Sequence, residues 1–271
     1  MPLVSVIIPT YNRKNLLPRA LQSVLNQSFT DFELIVVDDG STDGTSELAD
    51  QFPKIRLLRS ELNHGVSHAR NRGVAASCAK WTAFLDSDDV WATRKLEQQI
   101  KWLDAHPHFK ILQSNEIWIR NGKRVNPPAT HKKFQGDLFE AGLERCMITP
   151  SSVIMERSLF DETGGFDESF KACEDYDLWL RICCHHEVGL LQKELLTRYG
   201  GHEDQLSSSV PCLDKYRVES LKKLLLSAVL NEKQKTATRS NLLKRAHILA
   251  QGALKRGIKE EYDYYTNLSG L

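Results

Sequence analysis

Two aspartates that are separated by a single residue, Asp86 and Asp88, come directly after an apolar segment that ends in Phe84-Leu85. Carboxylate oxygens are preferred ligands of Mg²⁺ and Mn²⁺, and such ions take one or two protein carboxylates and complete their shell with water and substrate phosphates. An isolated Asp-x-Asp pair is more often a solvated loop. Its place at the end of a predicted strand, together with a second acidic pair at Asp38-Asp39, favours a divalent-cation site.

Polar residues also follow two other predicted strands. The segment 9–13, Pro-Thr-Tyr-Asn-Arg, follows the apolar run 4–8, and the segment 38–41, Asp-Asp-Gly-Ser, follows the apolar run 32–37. The carboxyl ends of parallel strands meet at one edge of a sheet, where ligands bind in open α/β folds. We therefore expect the three polar segments to share one ligand-binding edge.

The elements that position these residues alternate between strands and helices. Continuous apolar runs predict strands, and apolar residues spaced three and four apart predict helices. The predicted strands cover 4–8, 32–37, 55–58, 81–85, 111–119 and 151–155, and the predicted helices cover 15–25, 42–51, 65–79, 93–105 and 175–184. This alternation predicts an α/β fold with a Rossmann-like, mostly parallel sheet that has helices on both faces.

The last sixty residues have a different pattern. Two amphipathic stripes, one over 218–229 and one over 242–253, flank a polar break at Asn231-Glu232-Lys233 and predict a helical hairpin. We divide the chain into a domain over 1–210, with halves 1–110 and 111–210, and a helical extension over 211–271. Packing of the hairpin on its own domain is favoured over a role in oligomerisation or at a membrane surface, and the oligomeric state is open.

Composition excludes several classes of protein. The chain has 271 residues, 36 Lys+Arg against 35 Asp+Glu and a net charge of +1, which argues against a general nucleic-acid binder. Its 41% hydrophobic content argues against disorder. Neither a targeting signal nor an apolar run long enough to span a membrane is present. We expect a cytoplasmic protein, with peripheral contact at the inner membrane face left open.

Familiar nucleotide-binding motifs are missing from the strand ends. The segment after the first strand contains no glycine, so the Gly-x-Gly-x-x-Gly dinucleotide motif is excluded, and there is no phosphate-binding P-loop. A phospho-receiver domain carries its acidic pair after the first strand, whereas Asp38-Asp39 follows the second. The acidic edge therefore requires another explanation.

Together these motifs resemble those of family 2 glycosyltransferases, which use nucleotide sugars and have the GT-A fold. The resemblance covers about three-quarters of the chain, and five motifs occur in the family's order. They are Pro9 to Arg13, Val36 to Thr45, Asn63-x-Gly65-x-x-x-Ala69-Arg70-Asn71, Asp86-x-Asp88-Asp89, and the segment from Glu174 to Trp179 that is followed by Arg198 to Ser207.

The resemblance implies a nucleotide site in the first half of the domain. Asp39 would accept the imide N–H of the base, although an aspartate before Gly40 can also form a turn. Asp86 would lie near the ribose or the diphosphate. Arg70 would shape the nucleotide site or form a salt bridge to one of the aspartates. The remaining nucleotide-binding positions are Pro9, Thr10, Tyr11 and Arg13.

The resemblance also implies Mn²⁺ or Mg²⁺ as cofactor. Asp88 would hold the ion that bridges the diphosphate. His202, which follows Gly200-Gly201, is a further metal or diphosphate ligand, with a surface-loop histidine as the equal alternative. Asp175 is the candidate base that takes the acceptor's hydroxyl proton. Glu174 or Asp177 could act instead, because all three acids start one predicted helix.

The implied reaction is metal-dependent, inverting transfer of a sugar to an acceptor hydroxyl in cell-surface glycan or polysaccharide synthesis. UDP is the favoured nucleotide of the donor, and the acceptor is a saccharide or a lipid-linked saccharide. A sugar-phosphate nucleotidyltransferase and a non-catalytic sugar-nucleotide-binding protein are the alternatives. Three tryptophans, Trp91, Trp118 and Trp179, lie in apolar patterns and are predicted to pack in the core.

Overall fold

A computed structural model describes residues 1–201 and 210–270 of the chain, except for the side chains of residues 49 and 50. The described residues form an α/β fold built on one sheet in the spatial order β3-β2-β1-β4-β8-β6-β9-β5, with β7 paired to β6. The strands are β1 Val4–Thr10, β2 Phe32–Asp38, β3 Ile55–Arg59, β4 Trp81–Phe84, β5 Val90–Trp91, β6 Ile111–Arg120, β7 Lys123–Val125, β8 Ile154–Glu156 and β9 Gly189–Gly200.

The sheet has a parallel half and a mixed half. Strands β3, β2, β1 and β4 are all parallel, as the sequence predicts. Strand β8 then runs antiparallel to β4 and to β6, while β6 and β9 are parallel. Side chains along β1 alternate between two cores, because Ile7 belongs to one apolar cluster and Ile8 to the other. Helices therefore cover both faces of the parallel half.

Nine α-helices form in the described part of the chain. They are α1 Leu17–Leu25, α2 Val66–Ala76, α3 Lys95–Ala105, α4 Phe139–Glu144, α5 Arg157–Glu162, α6 Glu174–Cys183, α7 Asp214–Leu226, α8 Glu232–Arg256 and α9 Lys259–Asn267. In these residues no helix combines the length and the apolar character that crossing a bilayer requires.

Two predicted elements differ from the structure, and one long strand was missed. The helix predicted over 42–51 is only a 3₁₀ helix, Ser46–Gln51, because Gly44 has a φ of 85° and Asp43 accepts the backbone N–H of Thr45. The strand predicted over 151–155 is a 3₁₀ turn followed by β8. Strand β9 was not predicted, since exposed polar residues interrupt its apolar pattern.

The C-terminal helices form more than the predicted hairpin. Helix α8 is capped at its N-terminus by Asn231, whose side chain accepts the N–H of Gln234 in a capping box, and at its C-terminus by the left-handed Gly257. A third helix, α9, follows this turn. Buried side chains of α7 and α8, Val218 and Leu242 among them, belong to the same apolar cluster as Trp179 of α6. The helices thus pack on the domain they follow.

Candidate active site

The ends of β1 and β2 are hydrogen-bonded to each other. The backbone N–H of Asp39 donates to the carbonyl of Thr10 at 2.9 Å, and the N–H of Asn12 donates to Ser41 Oγ at 2.8 Å. Asn12 adopts a left-handed φ of 51°, a conformation that asparagine tolerates. The two polar segments therefore lie at one edge, as the sequence predicts. Thr10 is buried there, whereas Tyr11 is 44% exposed.

The two carboxylates after β2 have different partners. Asp38 Oδ1 accepts the N–H of Ser41 and so forms the predicted turn. Asp39 Oδ2 accepts the backbone N–H groups of His64 and Gly65 at 2.9 and 2.7 Å, which ties it to the start of α2. Its Oδ1 is buried without a hydrogen-bond partner among the described residues. Because buried acceptors are normally satisfied, Asp39 is suited to accept an N–H from a ligand.

A buried arginine joins the two halves of the candidate site. Arg70 on α2 lies 2.7 Å from Asp86 through Nη2 and 2.7 Å from Glu174 through Nη1. Its side chain is only 4% exposed and both contacts are charge-assisted hydrogen bonds; Glu174 is 11% exposed and Asp86 31% exposed, so the contact with Glu174 is the more shielded from water. The salt-bridge alternative for Arg70 is thus the one observed. The bridge places the end of β4 beside the start of α6.

The acidic segment after β4 is held from three directions. The N–H of Asp86 donates to Ser151 Oγ at 3.1 Å, and the carbonyl of Asp88 accepts from Arg19 at 2.6 Å. The carboxylate of Asp89 is buried and accepts the N–H of Tyr199 in β9 at 3.1 Å. Burial and the charges of Asp88 and Asp86 raise the pKa of Asp89 well above its usual range.

This concentration of negative charge fits a divalent cation, which would offset it. No three His, Cys, Asp or Glu side chains of residues 1–201 and 210–270 are clustered so as to hold a metal ion. A site with one or two carboxylates that is completed by a diphosphate needs no such cluster. The candidate ligand His202 lies outside the described residues.

The three acids at the start of α6 lie in different environments. Glu174 is bound by Arg70, and Asp177 is bound by Arg181 of the same helix at 2.8 Å and accepts from Ser220 on α7. Asp175 has no ion pair among the described contacts. Burial, and then the charge of Glu174, raise the pKa of Asp175 to about 6. Such a carboxyl is suited to taking up a proton near neutral pH.

A groove of about 290 Å³ lies between β6, β7 and the loop after β7. Its inner wall carries Glu116 and Lys133, which lie 2.7 Å apart with side chains 7% and 8% exposed. Lys133 Nζ also donates to Ser152 Oγ at 3.1 Å, one residue from the Ser151 that binds Asp86. Burial alone would raise the pKa of Glu116, but Lys133 and Arg198 hold it at about 2.

Trp118 is an exception among the tryptophans predicted to pack in the core. Trp91 and Trp179 are each 3% exposed, as predicted. Trp118 is half-buried, lines the groove and donates from Nε1 to Glu116 at 2.7 Å. The prediction for Trp118 was wrong because apolar and polar residues alternate in the same way in a strand that faces a groove and in a strand that faces the core.

Several residues of the candidate site gave no signal in the sequence. Lys133 lies in a polar loop, and Ser151 and Cys146 belong to no charged pattern. Their partners are 17, 65 and 29 residues away in the chain. Asp89 was visible as the last member of the acidic segment, yet only its contact with β9 distinguishes it.

The parallel half-sheet with acidic strand ends, followed by a mixed half, defines the chain as a protein of the GT-A class. The family model described as glycosyl transferase family 2 matches residues 5–164. The chain therefore belongs to glycosyl transferase family 2.

Curated relatives agree with this assignment. An uncharacterized glycosyltransferase of Rickettsia felis is 36% identical over 71% of this chain but only 32% of its own length. The chain thus spans about a third of the length of the first relatives it matches. The UDP-Glc:alpha-D-GlcNAc-diphosphoundecaprenol beta-1,3-glucosyltransferase WfgD of Escherichia coli is 31% identical over 76% of this chain and 80% of its own length.

Solved structures share the fold. S. aureus TarS in complex with UDP-GlcNAc superposes with a TM-score of 0.74 and 21% identity, over 90% of this chain and 71% of that chain. The Pyrobaculum calidifontis mannosyltransferase in complex with GDP-Man and Mn²⁺ gives a TM-score of 0.65 and 20% identity, over 99% of this chain and 83% of that chain. At these identities the likeness establishes the GT-A fold alone.

Proposed function

We propose that this chain transfers a sugar from a nucleoside-diphosphate sugar to an acceptor hydroxyl with inversion at the anomeric carbon, in the synthesis of a cell-surface glycan. One observation carries the proposal. The buried guanidinium of Arg70 lies 2.7 Å from Asp86 and 2.7 Å from Glu174, directly before Asp175. A candidate diphosphate site and a candidate base therefore border one rim.

The donor nucleotide binds, in this proposal, at the ends of β1 and β2. Asp39 Oδ1, which has no hydrogen-bond partner among the described residues, accepts the imide N–H of the base. Thr10 Oγ1, at the end of β1, is likewise buried without a described partner. Pro9, Tyr11 and Arg13 complete the pocket as the family resemblance implies. UDP is the proposed nucleotide, since WfgD is named for UDP-Glc and TarS is solved with UDP-GlcNAc.

Asp88, with Asp86 nearby, would hold a Mn²⁺ or Mg²⁺ ion, and His202 stays a predicted additional ligand. The Mn²⁺ in the complex of the Pyrobaculum mannosyltransferase supports this choice of cofactor. When bound, the ion would supply Lewis-acid stabilisation of the departing diphosphate. The chain itself fixes the acidic segment through Ser151, which accepts the N–H of Asp86.

Asp175 acts as the base. The acceptor hydroxyl oxygen forms a bond to the anomeric carbon while the bond from that carbon to the diphosphate oxygen breaks, and Asp175 takes the hydroxyl proton. Arg70 engages Glu174 and Arg181 engages Asp177, so these two acids are less available. Since its pKa is raised to about 6, Asp175 is ionised at neutral pH and still basic enough to accept the proton.

The acceptor saccharide binds in the groove beside β6 and β7. An indole edge at Trp118 and fixed polar groups at Glu116 and Lys133 are the combination that holds a ring with both apolar and hydroxyl surfaces. WfgD, whose name gives a sugar on diphosphoundecaprenol as its acceptor, supports a lipid-linked saccharide. Such an acceptor would bring the enzyme to a membrane surface.

The test is nucleoside diphosphate release from a panel of UDP-, GDP- and dTDP-sugars with mixed acceptors, with and without Mn²⁺ or Mg²⁺. We expect release that depends on the added ion and is lost in Asp88→Asn. Asp104→Asn, an exposed acid on α3, is the matched control and should keep full activity. Pyrophosphate release from a nucleoside triphosphate and a sugar phosphate would favour a nucleotidyltransferase, and binding without turnover a non-catalytic protein.

A further inference from the structure

The carboxylate of Asp175 meets one side-chain donor among the described contacts, the thiol of Cys146. Cys146 lies in the connection between α4 and β8, and its Sγ is 3.4 Å from Asp175 Oδ2. The other carboxylate oxygen, Oδ1, accepts the backbone N–H of Tyr176 at 2.7 Å. The thiol therefore contacts the candidate base directly, on the oxygen that the helix backbone leaves available.

The same thiol has a second acceptor. Cys146 Sγ is 3.2 Å from the carbonyl oxygen of Ile148. A thiol has one proton, so it can donate to Asp175 or to Ile148 but not to both at once. Burial, and then the charge of Asp175, raise the pKa of Cys146 well above its usual range, so the thiol keeps that proton throughout the neutral range.

We propose that Cys146 is a positioning residue for the base: its S–H donates to Asp175 while the carboxylate is ionised and turns to the Ile148 carbonyl once Asp175 has taken up the acceptor's proton. This inference rests on the proposed role of Asp175. A hydrogen bond to an ionised acceptor is stronger than one to a neutral acceptor. The thiol therefore favours the ionised, proton-accepting form of the base.

The contribution of Cys146 opposes two others. Burial and the charge of Glu174 favour the protonated form of Asp175, whereas the positive charge of Arg70 favours the ionised form, as the thiol does. Further ionisable groups face this region from α6, α7 and α8. These groups are Cys173 and Tyr176 near α6, Asp214 and Arg217 on α7, and Arg245 on α8.

Cys173 provides a matched control in the same region. Its Sγ contacts the carbonyl of Leu213 at 3.7 Å and makes no described hydrogen bond to Asp175. Both thiols are partly or fully shielded from solvent and both are close enough to interact with the charge of Asp175. Replacing each in turn separates loss of the donor from loss of a nearby sulfur.

The experiment is the pH dependence of kcat/KM for sugar transfer, whose acid limb reports the base of the free enzyme. In Cys146→Ala and Cys146→Val the acid limb should move to higher pH by roughly half a unit, which is about a threefold loss of rate on the limb. The plateau rate should change little. Two replacements of different volume separate the lost donor from altered packing. Cys146→Ser keeps a donor and should leave the limb in place.

An acid limb that stays unmoved in both Cys146 variants, or that moves equally in Cys173→Ala, would overturn the inference. Asp175→Asn distinguishes this failure from failure of the proposed function. If Asp175→Asn abolishes transfer while the acid limb of the Cys146 variants is unmoved, Asp175 remains the base and the positioning role of Cys146 is wrong. If Asp175→Asn transfers sugar normally, both the role of Asp175 as base and the role of Cys146 are wrong.

Discussion

At the scale of single residues, the structure separates three acids that share one helical turn. Glu174 and Asp177 are bound by arginines, whereas Asp175 has a backbone N–H and a thiol as its described partners. Charge repulsion from Glu174 is the second cause, after burial, of the raised pKa of Asp175. Glu174 thus acts on the candidate base through its charge even though Arg70 engages it.

Glu174→Gln should therefore shift the acid limb of transfer in the direction opposite to the Cys146 variants. The neutral amide removes the repulsion and can still accept from Arg70, so the pKa of Asp175 falls from about 6. Since the base must be ionised, the acid limb of kcat/KM should move to lower pH by roughly half to one unit, and the variant should stay active at a pH where the unmodified enzyme has lost activity. The measurement is the pH profile of kcat/KM, and a limb displaced upward would contradict this electrostatic account.

The sequence placed these acids together but did not distinguish among them. Helix position affects all three alike, and the partner that does distinguish them, Arg70, is 104 residues from Glu174. The same holds for Lys133, whose ion pair with Glu116 arises only when the loop after β7 folds back onto β6. Long-range pairing of this kind has no periodic signature in one sequence.

At the scale of elements, strands buried on both faces were the most predictable. The runs in β1 and β2 are rich in β-branched residues and almost wholly buried, so their apolar character is continuous. Strand β9 carries Gln192, Lys193 and Glu194 in its middle, and the short strands β5 and β7 have too few residues for a period. The missed elements are the partly exposed ones.

Helix α2 provides a test of how tightly an element is fitted to the sheet. A Cβ on Gly73 would lie 2.4 Å from Ile7 Cγ2 and 3.1 Å from Val37 Cγ2. Gly73→Ala should therefore reduce the free energy of unfolding by about 1–3 kcal/mol through overpacking, despite alanine's higher helix propensity. The midpoint of denaturant unfolding measures this change.

Gly252→Ala on α8 is the matched control for that substitution. Its added Cβ would meet only the far end of the Arg256 side chain, at 3.2 Å. Alanine should stabilise this helix by roughly 0.5–1 kcal/mol. Equal effects of the two substitutions, in sign and size, would mean that α2 is not pressed against β1 as the structure places it.

At the scale of the whole molecule, the C-terminal helices and the sheet domain share a core. The apolar cluster that contains Trp179 includes side chains of α6, α7 and α8 without a boundary between them. The predicted division at residue 210 follows a change in sequence pattern, and it remains a proposal about domains. Sequence pattern does not report whether two amphipathic helices pack on each other or on a neighbour.

Arg245 on α8 provides a direct test of whether the C-terminal helices and the sheet domain share one core. It is 8% exposed and lies 2.5 Å from Asp214 on α7, and it donates to the carbonyls of Leu143 and Glu144 at the end of α4. Arg245→Ala removes the ion pair with Asp214 and the hydrogen bonds to both carbonyls, and it should lower the free energy of unfolding by roughly 3 kcal/mol. Because one core connects the parts, we expect tryptophan fluorescence and far-UV circular dichroism to shift together to a lower midpoint.

Lys255 is an exposed residue of the same helix, and Lys255→Ala serves as the control. It should leave the free energy of unfolding, measured by either signal, unchanged within about 0.5 kcal/mol. The tryptophans all lie within residues 81–179, so their fluorescence reports the sheet domain, while the helical signal includes α7, α8 and α9. If Arg245→Ala lowered the helical transition and left the tryptophan transition in place, the extension would unfold independently. A shared core excludes that result, since removing the packed face of α7 and α8 would expose the apolar surface of α6 to water.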